Sequence, residues 1–250
     1  MITGVHHVAA VVRSLEAGLD FWRDTLGLPL LREATIADQG VRAALLACGR
    51  AEVELLEPIA ADTGVARFLA SRGEGLHHLC FESDDIGREL GRLGGTGVEL
   101  IDPRPRPGLA GLIGFLHPRA SGGVLVELAT PVEPGPPRSA PLALGTVHVS
   151  VDDVRTAALQ YQNLFGLSLG LTDPEWSVAQ LPAGGVIVQF AATARTKGRP
   201  GLSALRLTTP DPEHVVARLD ARGIACRRDP TGFVLGPAGA GGVPLIVRQS

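Results

Sequence analysis

Two short phrases constrain this chain more than anything else in it. His6-His7-Val8, close to the start, is echoed by His77-His78-Leu79, a step of 71 residues. Each phrase opens a unit that closes on a matching strand: Val53-Glu54-Leu55 before Pro58, and Val126-Glu127-Leu128 before Pro131, a step of 73. A polar cap and a helical pattern ending in glycine follow each opening strand, Ser14 to Leu26 before Gly27 and Ser83 to Leu93 before Gly94. The second half repeats the plan: Thr146 to Asp152 leads into a helix ending at Gly166, and Leu205 to Thr209 into one ending at Gly223. A short repeated unit of this kind cannot bury its sheet alone and must associate with its neighbours. The expectation is an α+β chain of four βαβββ units in tandem, forming two domains with curved mixed sheets and helices outside.

The stretch TPVEPGPPRSAPLA, from Thr130 to Ala143, carries prolines at 131, 134, 136, 137 and 141, which forbid a helix or a central strand. It reads as an extended linker at 131–143, so the expected domains are 1–130 and 144–250. Lys and Arg number 23 against 26 Asp and Glu, a formal charge of −3, too balanced for a nucleic-acid or anionic-membrane surface. The start lacks the basic residues and apolar stretch of a secretion signal, and no apolar run approaches membrane-spanning length, so a cytoplasmic location is expected. Cys48, Cys80 and Cys226 are widely spaced in apolar contexts, which suits packing thiols rather than a disulfide frame.

Neighbouring residues on a strand point to opposite faces, so the paired histidines cannot share one role. Val8, Ala10 and Val12 share parity with His6, and Leu79 and Phe81 with His77; these are the expected helix-side sets. His7 and His78 fall on the other face. Glu54 and Glu127 separate in the same way from Val53, Leu55, Val126 and Leu128. One His and one Glu per unit therefore point into a common concavity. Two imidazoles and two carboxylates suit Zn, Co, Ni, Mn or Fe, and four protein ligands leave positions open on a six-coordinate ion. His6 and His77 are expected to pack, or to hydrogen-bond the ligands from behind.

The stretches GVHHVAAVVRSLEAGLDFWRDTLGL (4–28), DQGV (38–41), VELLEP (53–58), GEGLHHLCFESDDI (73–86) and GFLHPRASGGVLVEL (114–128) resemble the vicinal-oxygen-chelate superfamily, the glyoxalase/bleomycin-resistance/dioxygenase group. Residues 1–130 resemble its methylmalonyl-CoA epimerases in particular. That resemblance implies a glyoxalase-like fold and a divalent metal on His7, Glu54, His78 and Glu127. It implies a small acid or acyl-CoA as substrate, with the metal stabilising an enolate while carboxylates move the α-proton. Glu127 would be ligand and catalytic base. Several members of the family carry a glutamate four residues after the Gln of the QGV phrase; here that position is Ala43, which cannot carry a proton. Arg104 and Arg106, before the FLHP strand, are candidates for substrate binding through the phosphates of a CoA tail.

The second half departs from the pattern: His148 takes the place of His7 and Gln189 that of Glu54, but Ala204 replaces His78 and Ile246 replaces Glu127. It is expected to be a degenerate copy without metal, a pseudo-dimer partner within a chain that is itself a monomer or homodimer. The competing functions are a glyoxalase I-like lyase, an extradiol-type dioxygenase and a metal-free small-molecule (drug) binding protein. Two carboxylates crowd the two-His, one-carboxylate iron site of a dioxygenase. A metal-free binder has no need of four such ligands.

Overall fold

The computed structural model describes residues 1–131, 140–196 and 199–250. Most of the proline-rich linker expected at 131–143 lies outside the described residues. The strands of the first half are β1 (Ile2–Val11), β2 (Leu30–Ile36), β3 (Val41–Cys48), β4 (Ala51–Pro58), β5 (Gly75–Ser83), β6 (Arg106–Gly108), β7 (Gly111–Leu116) and β8 (Leu125–Thr130). They form one eight-stranded sheet in the order β2-β3-β4-β1-β5-β8-β7-β6. The second half supplies β9 (Ala143–Val151), β10 (Val178–Ala183), β11 (Val186–Ala192), β12 (Gly201–Thr209), β13 (Arg227–Asp229), β14 (Gly232–Leu235) and β15 (Leu245–Gln249). These make a seven-stranded sheet, β10-β11-β9-β12-β15-β14-β13. Both are mixed: β5 runs parallel to β8 and β11 to β9, while β3·β4 and β14·β15 are antiparallel.

The helices follow from their caps. Ser14 accepts a hydrogen bond from Ala17 N to start α1 (Leu15–Leu19), which widens into a π-helical turn over Asp20–Thr25 before Gly27 turns the chain at φ +83°. Thr63 caps α2 (Gly64–Arg72), an extra helix between the first two units. The next helix, α3 (Ile86–Gly95), starts later than the sequence pattern indicates. Its cap is Asp85, whose carboxylate accepts from Arg88 N, while Ser83 Oγ accepts from Asp85 N. It also runs through Gly94; the reversal comes at Gly97, φ +80°. Asp153 caps α4 (Val154–Phe165), which ends at Gly166 in the left-handed conformation. A short α5 (Thr193–Thr196) and α6 (Pro212–Ala221), capped by Asp211, complete the α-helices among the described residues. Three of the four units show three strands after their helix. In the third unit the first of these shrinks to the Thr172↔Ala179 bridge and the flanking Gly170–Gln180 bonds.

By backbone packing the chain divides into two compact units, and each draws on both halves of the sequence. One comprises Met1–His7, the segment from His78 past Thr130, and Thr146–Ser203. Its core is aromatic: Phe81 of β5 meets Tyr161 and Phe165 of α4 at ring-centroid distances of 6.3 and 4.7 Å, and Phe190 lies 4.8 Å from Tyr161. The buried Tyr161 hydroxyl donates to the Ser121 carbonyl, so its polar atom is satisfied. The other unit comprises Val8–His77, the segment leading to Gly145, and Ala204–Ser250. There Arg222, just after α6, pairs with Asp20, and Arg218 of α6 donates to the Asp24 carbonyl at the end of the π-helical turn, where a cation complements the helix terminus.

Candidate metal centre

The strand parity expected from sequence holds on β5 and β8. Phe81 faces the aromatic core, whereas Cys80 lies opposite Glu127 in the parallel register and shares its face with His78. All four expected ligands are sealed from water, His7 at 0% exposure, His78 at 2%, Glu127 at 3% and Glu54 at 5%. Polar side chains buried this deeply demand partners, and His7, His78 and Glu127 find one another.

His7 Nε2 stands 3.1 Å from His78 Nε2. Glu127 Oε2 lies 3.3 Å from His78 Nε2, and its Oε1 lies 3.9 Å from His7 Nε2. Donor atoms of His7, Glu54 and His78 all fall within 4.8 Å of one another. Two donors about 2.1 Å from one cation stand about 3.0 Å apart at a right angle and about 3.4 Å apart at the tetrahedral angle. The 3.1 and 3.3 Å separations match those values, so the donor set fits a divalent ion. Behind the site, His6 Nδ1 lies 2.8 Å from His7 Nδ1. If the Nε2 lone pair of His7 is to serve a cation, its proton sits on Nδ1 and is donated to His6, the orienting contact that ligating histidines need.

Two further groups touch the site. The Cys80 thiol donates to Glu127 Oε1 at 3.5 Å, and Phe115, opposite Glu127 in the β7·β8 register, sets its ring edge-on to His78 at 5.2 Å. Sequence reasoning assigned Cys80 to packing. Its parity with His78, two residues earlier, was the available signal that it also faces the site.

The two candidate arginines part company. Arg104 is exposed on its loop, whereas Arg106 begins β6 and is held: its Nε donates to Asp102 at 3.0 Å and its guanidinium lies 5.6 Å from the centre of the Phe115 ring. Asp102 in turn accepts from Phe115 N. His77 does not join the ligands; its ring packs edge-on against Phe68 of α2 at 4.9 Å. Ala43 is fully buried on β3 between Ala34 and Leu56. In the second sheet Arg206 pairs with Ile246 as Cys80 pairs with Glu127, which places Ala204 at the position of His78 and confirms the unit alignment. His148 and Gln189, opposite each other, are joined by a 3.2 Å contact, and Gln180 donates to Gln189 at 2.9 Å.

The family model described as the Glyoxalase/Bleomycin resistance protein/Dioxygenase superfamily matches residues 4–128. The chain belongs to that superfamily. An uncharacterised protein of Bacillus subtilis, YqjC, is 39% identical over 126 residues, half of this chain and 90% of that protein. The mitochondrial methylmalonyl-CoA epimerase of Mus musculus is 33% identical over 126 residues, 50% of this chain and 71% of that one. Among solved structures, a methylmalonyl-CoA epimerase in complex with methylmalonyl-CoA and ammonium is 33% identical with a TM-score of 0.52, covering 55% of this chain and all of that one. A variant of 4-hydroxymandelate synthase from Streptomyces coelicolor is 19% identical, yet covers 100% of this chain and 93% of that one at a TM-score of 0.71. That last likeness is one of fold, and it spans the entire chain.

Proposed function

We propose that this superfamily member is a metal-dependent epimerase-like isomerase acting on the α-carbon of an acyl-CoA, with methylmalonyl-CoA the first substrate to test. The observation that carries the reading is the cluster of His7, His78 and Glu127, with its 3.1 and 3.3 Å spacings, in a chain similar to named epimerases. His7, Glu54, His78 and Glu127 would hold the ion, taken from Co, Ni, Mn, Zn or Fe. A divalent ion there supplies positive charge to oxygens of the substrate that gain negative charge as the α-proton leaves. Glu127 is the catalytic base, and its burial excludes competing water. Arg104 and Arg106 are assigned to substrate binding, Arg106 with its guanidinium already oriented by Asp102 and Phe115.

Residues 1–130 form the metal-binding domain in this reading, 131–143 the linker, and 144–250 a degenerate copy that holds no metal and completes an intrachain pseudo-dimer. No helix among the described residues is long and apolar enough to cross a membrane, and we assign the protein to the cytoplasm. Ala43 favours a specific variant of the chemistry. A buried alanine offers no proton on the second face of the substrate, so proton exchange from one face outpaces inversion.

The test is to incubate metal-loaded protein with methylmalonyl-CoA in deuterated water and to read both α-deuterium and configuration. Deuterium with inversion supports epimerisation, and deuterium with retained configuration supports one-sided exchange. Neither label nor inversion refutes the proposal and returns the field to a glyoxalase I-like lyase, an extradiol-type dioxygenase or a metal-free drug binder.

A further inference from the structure

Beside the site lie two donors that the isomerase chemistry does not use, His6 and Cys80. One ring nitrogen each from His6 and His7 and the Cys80 sulfur all lie within 4.8 Å of one another, and the two Nδ1 atoms are 2.8 Å apart. Glu127 Oε1 completes the group at 3.5 Å from Cys80 Sγ. A sulfur about 2.3 Å and an oxygen about 2.1 Å from one cation stand about 3.1 to 3.6 Å apart between the right and tetrahedral angles, so that spacing too fits a shared ion.

We infer that His6, His7, Cys80 and Glu127 form a thiol-bearing site for thiophilic divalent ions, Zn²⁺ and Cd²⁺ above all, and that its occupation shuts the neighbouring site of His7, Glu54, His78 and Glu127. The two sets differ in softness: nitrogen and oxygen alone suit Mn²⁺ or Co²⁺, whereas a thiolate selects softer ions. On binding, the Cys80 S–H bond breaks, its electron pair bonds the cation, and the proton leaves to solvent. The sets exclude each other through His7. A neutral imidazole has one lone pair to give, so His7 serves one cation at a time, whereas Glu127 already faces Cys80 with Oε1 and His78 with Oε2. The consequence is inhibition by soft metals that capture His7 from the resident ion without occupying Glu54 or His78. The inference rests on the metal-centre reading through His7 and Glu127.

The experiment titrates the full chain, stripped of metal, with Cd²⁺ and separately with Co²⁺. One equivalent of Cd²⁺ is expected to produce a near-ultraviolet sulfur-to-cadmium charge-transfer band. Cys80→Ser should abolish that band, leave the cobalt ligand-field spectrum in place, and weaken Cd²⁺ binding by at least about tenfold. His6→Asn, which leaves Cys80 undisturbed in its packing, should weaken Cd²⁺ binding in the same direction. Prior loading with Cd²⁺ should lower Co²⁺ uptake. A cobalt spectrum without any cadmium band, or a cadmium band that survives Cys80→Ser, overturns the thiol site alone. A cadmium band without any cobalt spectrum overturns the metal-centre reading and leaves the thiol site standing.

Discussion

Replacing Glu127 by Gln keeps the shape of the side chain and removes its charge, so it isolates what the carboxylate does for the centre. Glu127 is 3% exposed, with Oε2 at 3.3 Å from His78 Nε2 and Oε1 at 3.9 Å from His7 Nε2. Removing one partner from a buried charged group costs about 3 to 5 kcal/mol, and for a bound cation that cost falls on affinity, roughly two to four orders of magnitude. Metal bound only to the folded state stabilises it by about 2.7 kcal/mol at a hundredfold excess over Kd. For a chain of this size that is a rise of roughly 5 to 10 °C in Tm. At the same metal concentration the variant sits at or below its own Kd, where the gain shrinks to about 0.4 kcal/mol and roughly 1 °C. The assay is thermal unfolding of metal-stripped protein with and without Mn²⁺, for both chains. Equal shifts in the two would show that Glu127 is no ligand, and no shift in either would remove the metal from the site.

Four further outcomes are expected. Tyr161→Ala, which empties the space between Phe81, Phe165 and Phe190, should lower stability by about 3 to 5 kcal/mol in urea unfolding, whereas Tyr161→Phe, which loses only the bond to Ser121, should cost about 0.5 to 1.5 kcal/mol. The hydrogen bond from Arg42 holds the Glu16 carboxyl down at about 2 from its ordinary 4.5, so its contribution is present above pH 4.5 and lost as pH falls toward 2. Acid titration of stability should therefore show wild type and Arg42→Met converging across that window. Burial pushes the Cys48 thiol up to about 12. A thiol reagent at pH 8 should modify the partly exposed Cys226 first and reach Cys48 only on unfolding. Finally, Asp153→Ala should cost about 1 kcal/mol by removing the cap of α4, measurable as a shift of the urea midpoint at constant slope.

The four-unit plan and the shared burial of His7, Glu54, His78 and Glu127 were legible from residues alone, because a strand alternates faces with period two and a repeat places equivalent residues at equivalent depths. His7 and His78 could thus be told from His6 and His77, although the latter pair differ in ways the pattern does not carry. His77 packs on Phe68 of an extra helix, while the His6 ring turns back to His7. The start of α3 escaped because Ser83, Asp84 and Asp85 all resemble caps, and only the backbone path chose Asp85. Parity could also have drawn Cys80 toward the site, but its contact with Glu127 depends on the parallel register of β5 and β8, set by strands 42 residues or more apart in sequence. The division into two compact units, each drawing on both halves, was equally out of reach. It arises from long-range packing such as Phe81 against Tyr161 and Phe165, and a linear pattern records which side chains are apolar without recording which apolar faces will meet.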